Sequence, residues 1–325
     1  MRILVIGGAG YIGSVTVDQL VEADHDVTVL DSLVSGHAGA VHPDVELATL
    51  DARDESGLGR LFAAHSFDAV INYGGYIQAG ESVQHPGRYF SNNVTSVIAI
   101  LNAMVTYDVK RLVFSSSAAV YGEPESCPIT EDAPKRPINP YGMSKLMAEQ
   151  MFPWFESRFG IHHVSLRYFN AAGATPTRGE DHRPETHLIP NVLQVALGRR
   201  DSFSLFGTDY PTRDGTCVRD YVHVSDLAAA HLLALGFAES GSGAFNLGNG
   251  DGFTNREVIG AARRVTGHAI PVTEEPRRPG DPAELYASND RAKRELGWHI
   301  EYTDLDEIVD SAWRWHQANP DGYTQ

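Results

Sequence analysis

The chain has 325 residues, 42% of them hydrophobic and 21% charged, which suits one large or two closely joined domains with ample core material. Its net charge of −16 excludes nucleic acid and anionic membrane as partners, because neither would be attracted. Two cysteines, Cys127 and Cys217, are too few for a disulfide framework, no apolar run reaches the ~18 residues of a membrane span, and no signal-peptide pattern precedes the first strand, so a cytoplasmic location is expected.

Taken in chain order, apolar runs alternate with helical periodicity. The first run, 2–6, ends in Gly7-x-x-Gly10-x-x-Gly13 and opens a predicted helix over 11–22. Gly7 permits a tight turn, Gly10 lets a phosphate approach the backbone, and Gly13 allows the helix to pack on the strand. A second strand, 26–30, is followed by Asp31, about 20 positions beyond the glycines, where the adenosine ribose hydroxyls of a dinucleotide need an acceptor. A carboxylate there would repel a 2′-phosphate, so the expected cofactor is NAD. Further strands are predicted at 45–50, 69–73, 111–115 and 163–167, and helices at 55–65, 89–107 and 141–158, with Pro153 expected to kink the last. This alternation predicts an α/β fold, a Rossmann-type doubly wound parallel sheet over 1–173. After Gly173 a loop rich in Pro, Gly, Arg and acids leads to shorter elements at 188–198, 204–206, 224–237, 244–247 and 255–266. They predict a smaller C-terminal α/β substrate domain over 174–325, with 224–237 able to pack back onto the first.

Ligands of open parallel sheets bind beyond the carboxyl ends of the strands. The strand at 111–115 runs out into Ser116-Ser117, and Tyr141 and Lys145 follow Pro140 one turn apart on a predicted helix, so their side chains share a face. A phenol titrates near ~10, too high for a base at neutral pH. An ammonium one turn away and the cationic oxidised nicotinamide nearby would stabilise the phenolate, which is how a tyrosine becomes a general base for a sugar hydroxyl.

The motifs running from Gly-Gly-Ala-Gly-Tyr-Ile-Gly at 7–13 to Arg-Arg-x-Gly-Asp at 277–281 span nearly the whole chain. Between them stand Gly-Glu-Ser-Val at 80–83, Phe-Ser-Ser-Ser at 114–117, Pro-Tyr-Gly-x-Ser-Lys at 140–145, Arg-Tyr-Phe-Asn at 167–170 and Val-Arg-Asp-Tyr-x-His-Val at 218–224. In these the chain resembles the extended short-chain dehydrogenases/reductases, specifically the UDP-galactose (UDP-glucose) 4-epimerases. The resemblance implies that Tyr11 and Ile12 contact the pyrophosphate, Asp31 the adenosine ribose, and Asp51 and Ala52 the adenine. Asn92, Lys145 and Phe169 would line the nicotinamide half, with Tyr73 in the cofactor set, and Ser117 and Tyr141 would face the sugar 4-hydroxyl. Asn170, Arg219 and Arg278 are expected at the substrate diphosphate, Asp281 at the uridine ribose, Phe206 by the uracil, and His187 and Leu188 on the sugar side, with Ser204 also in the substrate set. A UDP-hexose substrate is implied, and a homodimer through the helices at 89–107 and 141–158.

Some residues depart from the family pattern: Asn72-Tyr73-Gly74 stands for His-Phe-Ala, Ile77 for a lysine and Ala119 for a threonine. Leu285 falls where the family sets the room for the sugar 2-substituent. A nucleotide-sugar dehydratase would want an acid pair where Ala118-Ala119 stands; a non-catalytic NAD-binding protein would have no need of Ser117, Tyr141 and Lys145 together. Epimerases for N-acetylhexosamines, pentoses or uronates stay open. The histidines form no spacing such as His-Glu-x-x-His, and no metal is expected.

Overall fold

In the computed structural model, residues 1–278 and 281–323 are described; Gly280 of the Arg-Arg-x-Gly-Asp pattern lies outside them. The first half alternates as the periodicity predicts. Strand β1 (Arg2–Ile6) leads through the glycine turn to α1 (Tyr11–Glu22), then β2 (Asp26–Asp31), β3 (Glu46–Thr49), α2 (Glu55–His65) and β4 (Ala69–Asn72). The short helices α3 (Ala79–Gln84) and α4 (Pro86–Tyr89) precede α5 (Thr95–Thr106), β5 (Arg111–Ser117), α6 (Pro140–Phe159), β6 (His162–Tyr168) and β7 (Asn170–Ala172). The remainder supplies α7 (Leu188–Ala196), β8 (Phe203–Phe206), β9 (Val218–Arg219), β10 (Tyr221–His223), α8 (Val224–Phe237) and β11 (Gly243–Leu247). It closes with β12 (Phe253–Thr254), α9 (Asn255–Thr266), β13 (Val272–Glu275), β14 (Glu284–Leu285) and α10 (Leu305–Ala318).

Seven strands form one parallel sheet in the order β11-β6-β5-β4-β1-β2-β3, the doubly wound arrangement expected. Its central strands are apolar on both faces because both are covered. Ile3, Val5, Val29, Ile71 and Val164 pack on one side with α1 and α8, and Leu4, Ile6, Val70, Leu112 and Phe114 pack on the other with α2, α5 and α6. A separate cluster of Val192, Leu193, Val258, Ala262, Ile308 and Val309 joins α7, α9 and α10 into the smaller layer. The strand order reverses between β1 and β4, so a crevice opens beyond their carboxyl ends. There the turn at Gly7, with φ +79°, lies directly against the loop after β4: a Cβ on Gly7 would come within 3.1 Å of Tyr73.

Three expectations change. First, β11 lies beyond residue 173 yet joins the large sheet: it pairs with β6 along Gly243–Leu247, and Phe245 and Leu247 are fully buried in the sheet core, while α8 packs back onto that layer as the sequence allowed. A single cut at 173 therefore does not separate the layers. Second, α6 runs through Pro153 without a break. Proline removes one backbone hydrogen bond, but Ala148 and Phe152 lock the same turn into the core, Phe152 edge-on to Phe114 at 5.1 Å. Third, the helix expected over 89–107 is α4 and α5 joined by a π-helical turn at Phe90–Val94. Such turns redirect side chains within an otherwise regular helix.

Candidate active site

A cleft of about 620 Å³ follows the crevice. Its floor is the glycine turn. Helix α1 opens at Gly10 with no side-chain cap, so the amide hydrogens of its first turn and the positive end of its dipole are available to an anion. Gly13 is required for this geometry, because a Cβ there would lie 2.2 Å from the Gly7 carbonyl oxygen. Asp31 stands at the end of β2 in the cleft wall; its carboxylate accepts N–H bonds from Ala9 at 3.1 Å and Leu33 at 2.8 Å. Burial raises its pKa against those two bonds. Asp51 and Ala52 form the far end, where Arg53 holds the Asp51 carboxyl below the usual range by a forked hydrogen bond. These are the parts an NAD adenosine diphosphate half requires: a concave anion-binding turn and a carboxylate at the ribose.

Gly7, Gly10, Tyr11, Ile12, Gly13, Asp31, Asp51, Ala52, Tyr73, Asn92, Ser117, Tyr141 and Phe169 all line this one cleft. The phenol of Tyr11 donates to the Gly173 carbonyl at 2.5 Å. Tyr73 bonds Thr16 at 2.6 Å. The π-helical turn aims Asn92 at the cleft while Asn93, beside it, bonds Tyr76 and Ser144. Asn72 takes its place by accepting from the Gly74 N–H at 2.9 Å, and Ile77 lies half-open on the cleft wall.

Ser117 ends β5, two residues beyond the predicted strand. Its Oγ accepts the Ala119 N–H at 3.1 Å, leaving its own proton for donation. Tyr141 enters from the first turn of α6, which Asn139 caps by accepting from Gly142 at 2.8 Å. Lys145, one turn later, is 2% exposed. The expected lowering of the phenol does not occur in the chain alone: burial raises the Tyr141 pKa, and the facing Ser117 hydroxyl only partly counters it. The reason is where the ammonium goes. Lys145 Nζ donates to the Ser115 carbonyl at 2.7 Å and sits 6.0 Å from the Tyr141 ring centre, and burial pulls its own pKa down to about 8. Behind it Glu149 forms a buried forked pair with Arg167 and accepts from Ser116 at 2.5 Å.

The substrate set divides. Asn170 and His187 reach the cleft wall, Asn170 with its amide donating to the Asp220 carbonyl at 2.9 Å. Leu188 starts α7 and packs on the core of the smaller layer. Ser204 is exposed on β8. Phe206, Arg219, Arg278 and Asp281 form a second group outside the cleft lining: Arg219 is paired with Asp281, and the Arg278 guanidinium lies 3.9 Å over the Phe206 ring. The aromatic face expected beside a uracil is thus covered by Arg278. Leu285, paired with Arg219 across β14 and β9, packs on the buried cluster of Val120, Tyr121, Ile129 and Leu146, as does Phe169.

Of the loop between β7 and α7, sequence reading named only His187 as a site residue and missed the rest. Glu180, His182, Arg183, Pro184 and His187 all line the cleft. Glu180, His182, Glu185 and His187 gather with one donor atom each within 4.8 Å of the others, although their histidines follow no spacing such as His-Glu-x-x-His. The signal was the run Glu-x-His-x-x-Glu-x-His, whose spacing matches no single helix face. Among the described residues no helix is long and apolar enough to cross a membrane.

The profile of the NAD dependent epimerase/dehydratase family matches residues 3–248. The chain is 52% identical to the UDP-glucose 4-epimerase of Halalkalibacterium halodurans, over 100% of this chain and 98% of that one. It is similar to a crystal structure of a UDP-glucose 4-epimerase with a TM-score of 0.98 at 45% identity, covering 100% of both chains. It is also similar to the UDP-glucose 4-epimerase structure from Stenotrophomonas maltophila with bound NAD and formylated UDP-arabinopyranose. That match has a TM-score of 0.95 at 39% identity and covers 98% of this chain and 99% of that one.

Proposed function

The chain belongs to the NAD dependent epimerase/dehydratase family, and from that premise we propose that it interconverts UDP-glucose and UDP-galactose by oxidising C4 of the hexose and reducing it again on the other face. The observation that carries this reading is the convergence of Ser117 and Tyr141 on the same cleft as the Gly7–Gly13 turn and Asp31. Full-length similarity to relatives named UDP-glucose 4-epimerase supports it.

NAD, when bound, takes the hydride from C4 and gives it back. The protein holds that cofactor by the uncapped first turn of α1 at the pyrophosphate, Asp31 at the ribose, and Asp51, Ala52, Tyr73, Asn92, Lys145 and Phe169 along its two ends. Tyr141 removes the proton of the C4 hydroxyl, and Ser117, whose Oγ already accepts one bond from Ala119, donates to the same oxygen. With the hydride and the proton gone the sugar is a 4-ketone. Arg219, Arg278, Asp281, Phe206 and Asn170 keep the UDP in place while the sugar turns over, and Tyr141 returns the proton. Arg278 must lift from Phe206 for a base to lie there. We further assign a cytoplasmic homodimer. The dimer is supported by Ile98 on α5 and Met143 and Met147 on α6, which stay 39%, 39% and 36% exposed on neighbouring helices.

The test is to incubate the pure protein with UDP-galactose without added NAD and follow products by NMR. UDP-glucose is the expected product. NAD binding without any change to the sugar would reduce the protein to a binder, and a 4-keto-6-deoxy product would make it a dehydratase.

A further inference from the structure

We propose that Glu180, His182, Glu185 and His187 form a binding site for one divalent transition-metal ion of the zinc class, in the loop that walls the cleft. This goes beyond the epimerase reading and does not depend on it. His182 Nδ1 lies 2.9 Å from Glu180 Oε1, and His187 Nδ1 lies 2.8 Å from both Glu180 Oε1 and Glu185 Oε1; Glu185 Oε2 is 3.8 Å from His182 Nδ1. Two imidazole nitrogens and two carboxylates at metal–ligand lengths of about 2.0–2.2 Å put neighbouring donors of a tetrahedral ion about 3.3–3.5 Å apart. The quoted separations of 2.8–3.8 Å bracket that value, and all four donors lie within 4.8 Å of one another, so closing on an ion takes small side-chain shifts.

Charge argues the same way. The Glu180 and Glu185 side chains are each 6% exposed and face one another across the two rings. Two buried carboxylates require two positive charges in the same small volume. Two imidazoliums can supply them, but those rings must then sit against each other, at 5.0 Å between centres. A single dication supplies the same charge and uses all four donors at once. Arg183, the cation nearest in sequence, is engaged by Asp181 at 2.9 Å.

The donors are also held from behind, as metal ligands usually are. Glu185 Oε1 accepts the N–H groups of Thr186 at 2.6 Å and His187 at 2.7 Å, which aims Oε2 at His182. The ring of Tyr11 meets His182 edge-on at 6.2 Å. Burial lowers the pKa of the neighbouring His316, and the charges of Glu180 and Glu185 oppose that shift. The donor set is borderline rather than soft, so zinc, cobalt and nickel fit better than copper(I) or calcium. An ion here would fasten the 175–187 loop, and with it the start of α7, beside the Tyr11 turn.

The full chain, freed of any affinity tag and dialysed against chelator, is titrated with Zn²⁺ against a chromophoric competitor, and its zinc content is read by plasma mass spectrometry. One equivalent per chain is expected, with affinity falling at least ~10-fold in each of His182→Asn and Glu185→Gln. His162→Asn, outside the cluster, should leave affinity unchanged. Substoichiometric binding by the unaltered chain, or equal affinity in the cluster variants, overturns the site. Where a variant fails to fold, Co²⁺ in the unaltered chain decides: intense four-coordinate visible bands support the site, and a pale six-coordinate spectrum overturns it. Every readout is metal content or coordination, so a failure of the epimerase reading leaves the result interpretable.

Discussion

At the scale of single residues the proposed reaction turns on Tyr141, a phenol that the protein by itself does not make acidic. Burial raises Tyr141, Ser117 offsets part of the rise, and Lys145 spends its hydrogen bond on the Ser115 carbonyl while its own pKa falls to about 8. The added positive charge must therefore arrive with the oxidised cofactor. An ultraviolet difference titration against Tyr141→Phe tests this. In protein stripped of NAD the Tyr141 band should appear only above about pH 10, and with NAD⁺ retained it should move toward neutrality. Ionisation near neutral pH in the stripped chain would refute the argument. The Tyr141→Phe variant should keep its NAD and lose at least ~10²-fold in turnover. The Tyr-x-x-x-Lys pair and the glycine turn were legible because both are local: one helical turn and one strand–helix corner fix them. The tie from Lys145 to Ser115 was not legible, because it depends on how α6 lies across β5.

Among elements, α6 does the most. Tyr141, Lys145 and Glu149 stand four residues apart, so one stripe of the helix carries the proposed base, the ammonium and a carboxylate that supports the ammonium's charge. Arg167 on β6 neutralises Glu149 in a pair whose side chains are 4% and 8% exposed, and passes on through Tyr121 at 2.9 Å to Asn246 of β11. Breaking a buried pair leaves an uncompensated charge, at a cost of about 3–5 kcal/mol. Glu149→Gln should lower the unfolding free energy by that order in urea titrations, and adding Arg167→Met should recover part of it; no recovery would mean that the pair is not the cause. The sequence predicted α6 and its capping proline, and its Arg-Tyr-Phe-Asn motif pointed to Arg167. It held no sign that this arginine would meet Glu149, or that β11 would cross back into the sheet to lie beside Arg167. Long-range pairing of that kind is set by the packing of Phe245 and Leu247, whose apolar run reads the same in either layer. The covering of Phe206 by Arg278 is hidden for the same reason: two positions far apart in the chain meet only through β8 and the segment after β13.

Across the whole molecule, the two layers are joined by α8, and two buried histidines belong to that join. His223 caps the helix, with Nδ1 accepting from Ser225 at 3.2 Å, Nε2 facing Ser311 of α10 at 3.1 Å, and its ring stacked on Tyr302 at 3.9 Å. His231 lies between Tyr73 and Tyr168, at 4.6 and 5.8 Å, and donates from Nδ1 to the Leu227 carbonyl at 2.8 Å. Burial pulls both down to about 4. Between pH 4 and 6.5 the unfolded chain therefore takes up protons at these two positions that the native protein refuses. The sign follows from linkage: stability rises with pH through this window and is lost as the pH falls, by up to about 1.4 kcal/mol per pH unit for each group. Asp220 works against this. Burial raises it to about 6, so its native carboxyl holds a proton that the unfolded one has released, and its contribution fades as pH rises. The net slope of the unaltered chain mixes these opposed groups, but the difference between it and a variant isolates one of them. His231→Phe keeps the ring volume between the two tyrosines and removes the titration. Urea unfolding at pH 7, 6 and 5 should show the variant losing less stability on acidification than the unaltered chain, by about 1 kcal/mol per pH unit. Parallel pH profiles would mean that the imidazole is charged in the native fold, and that the join between the layers is held by something other than a neutral ring.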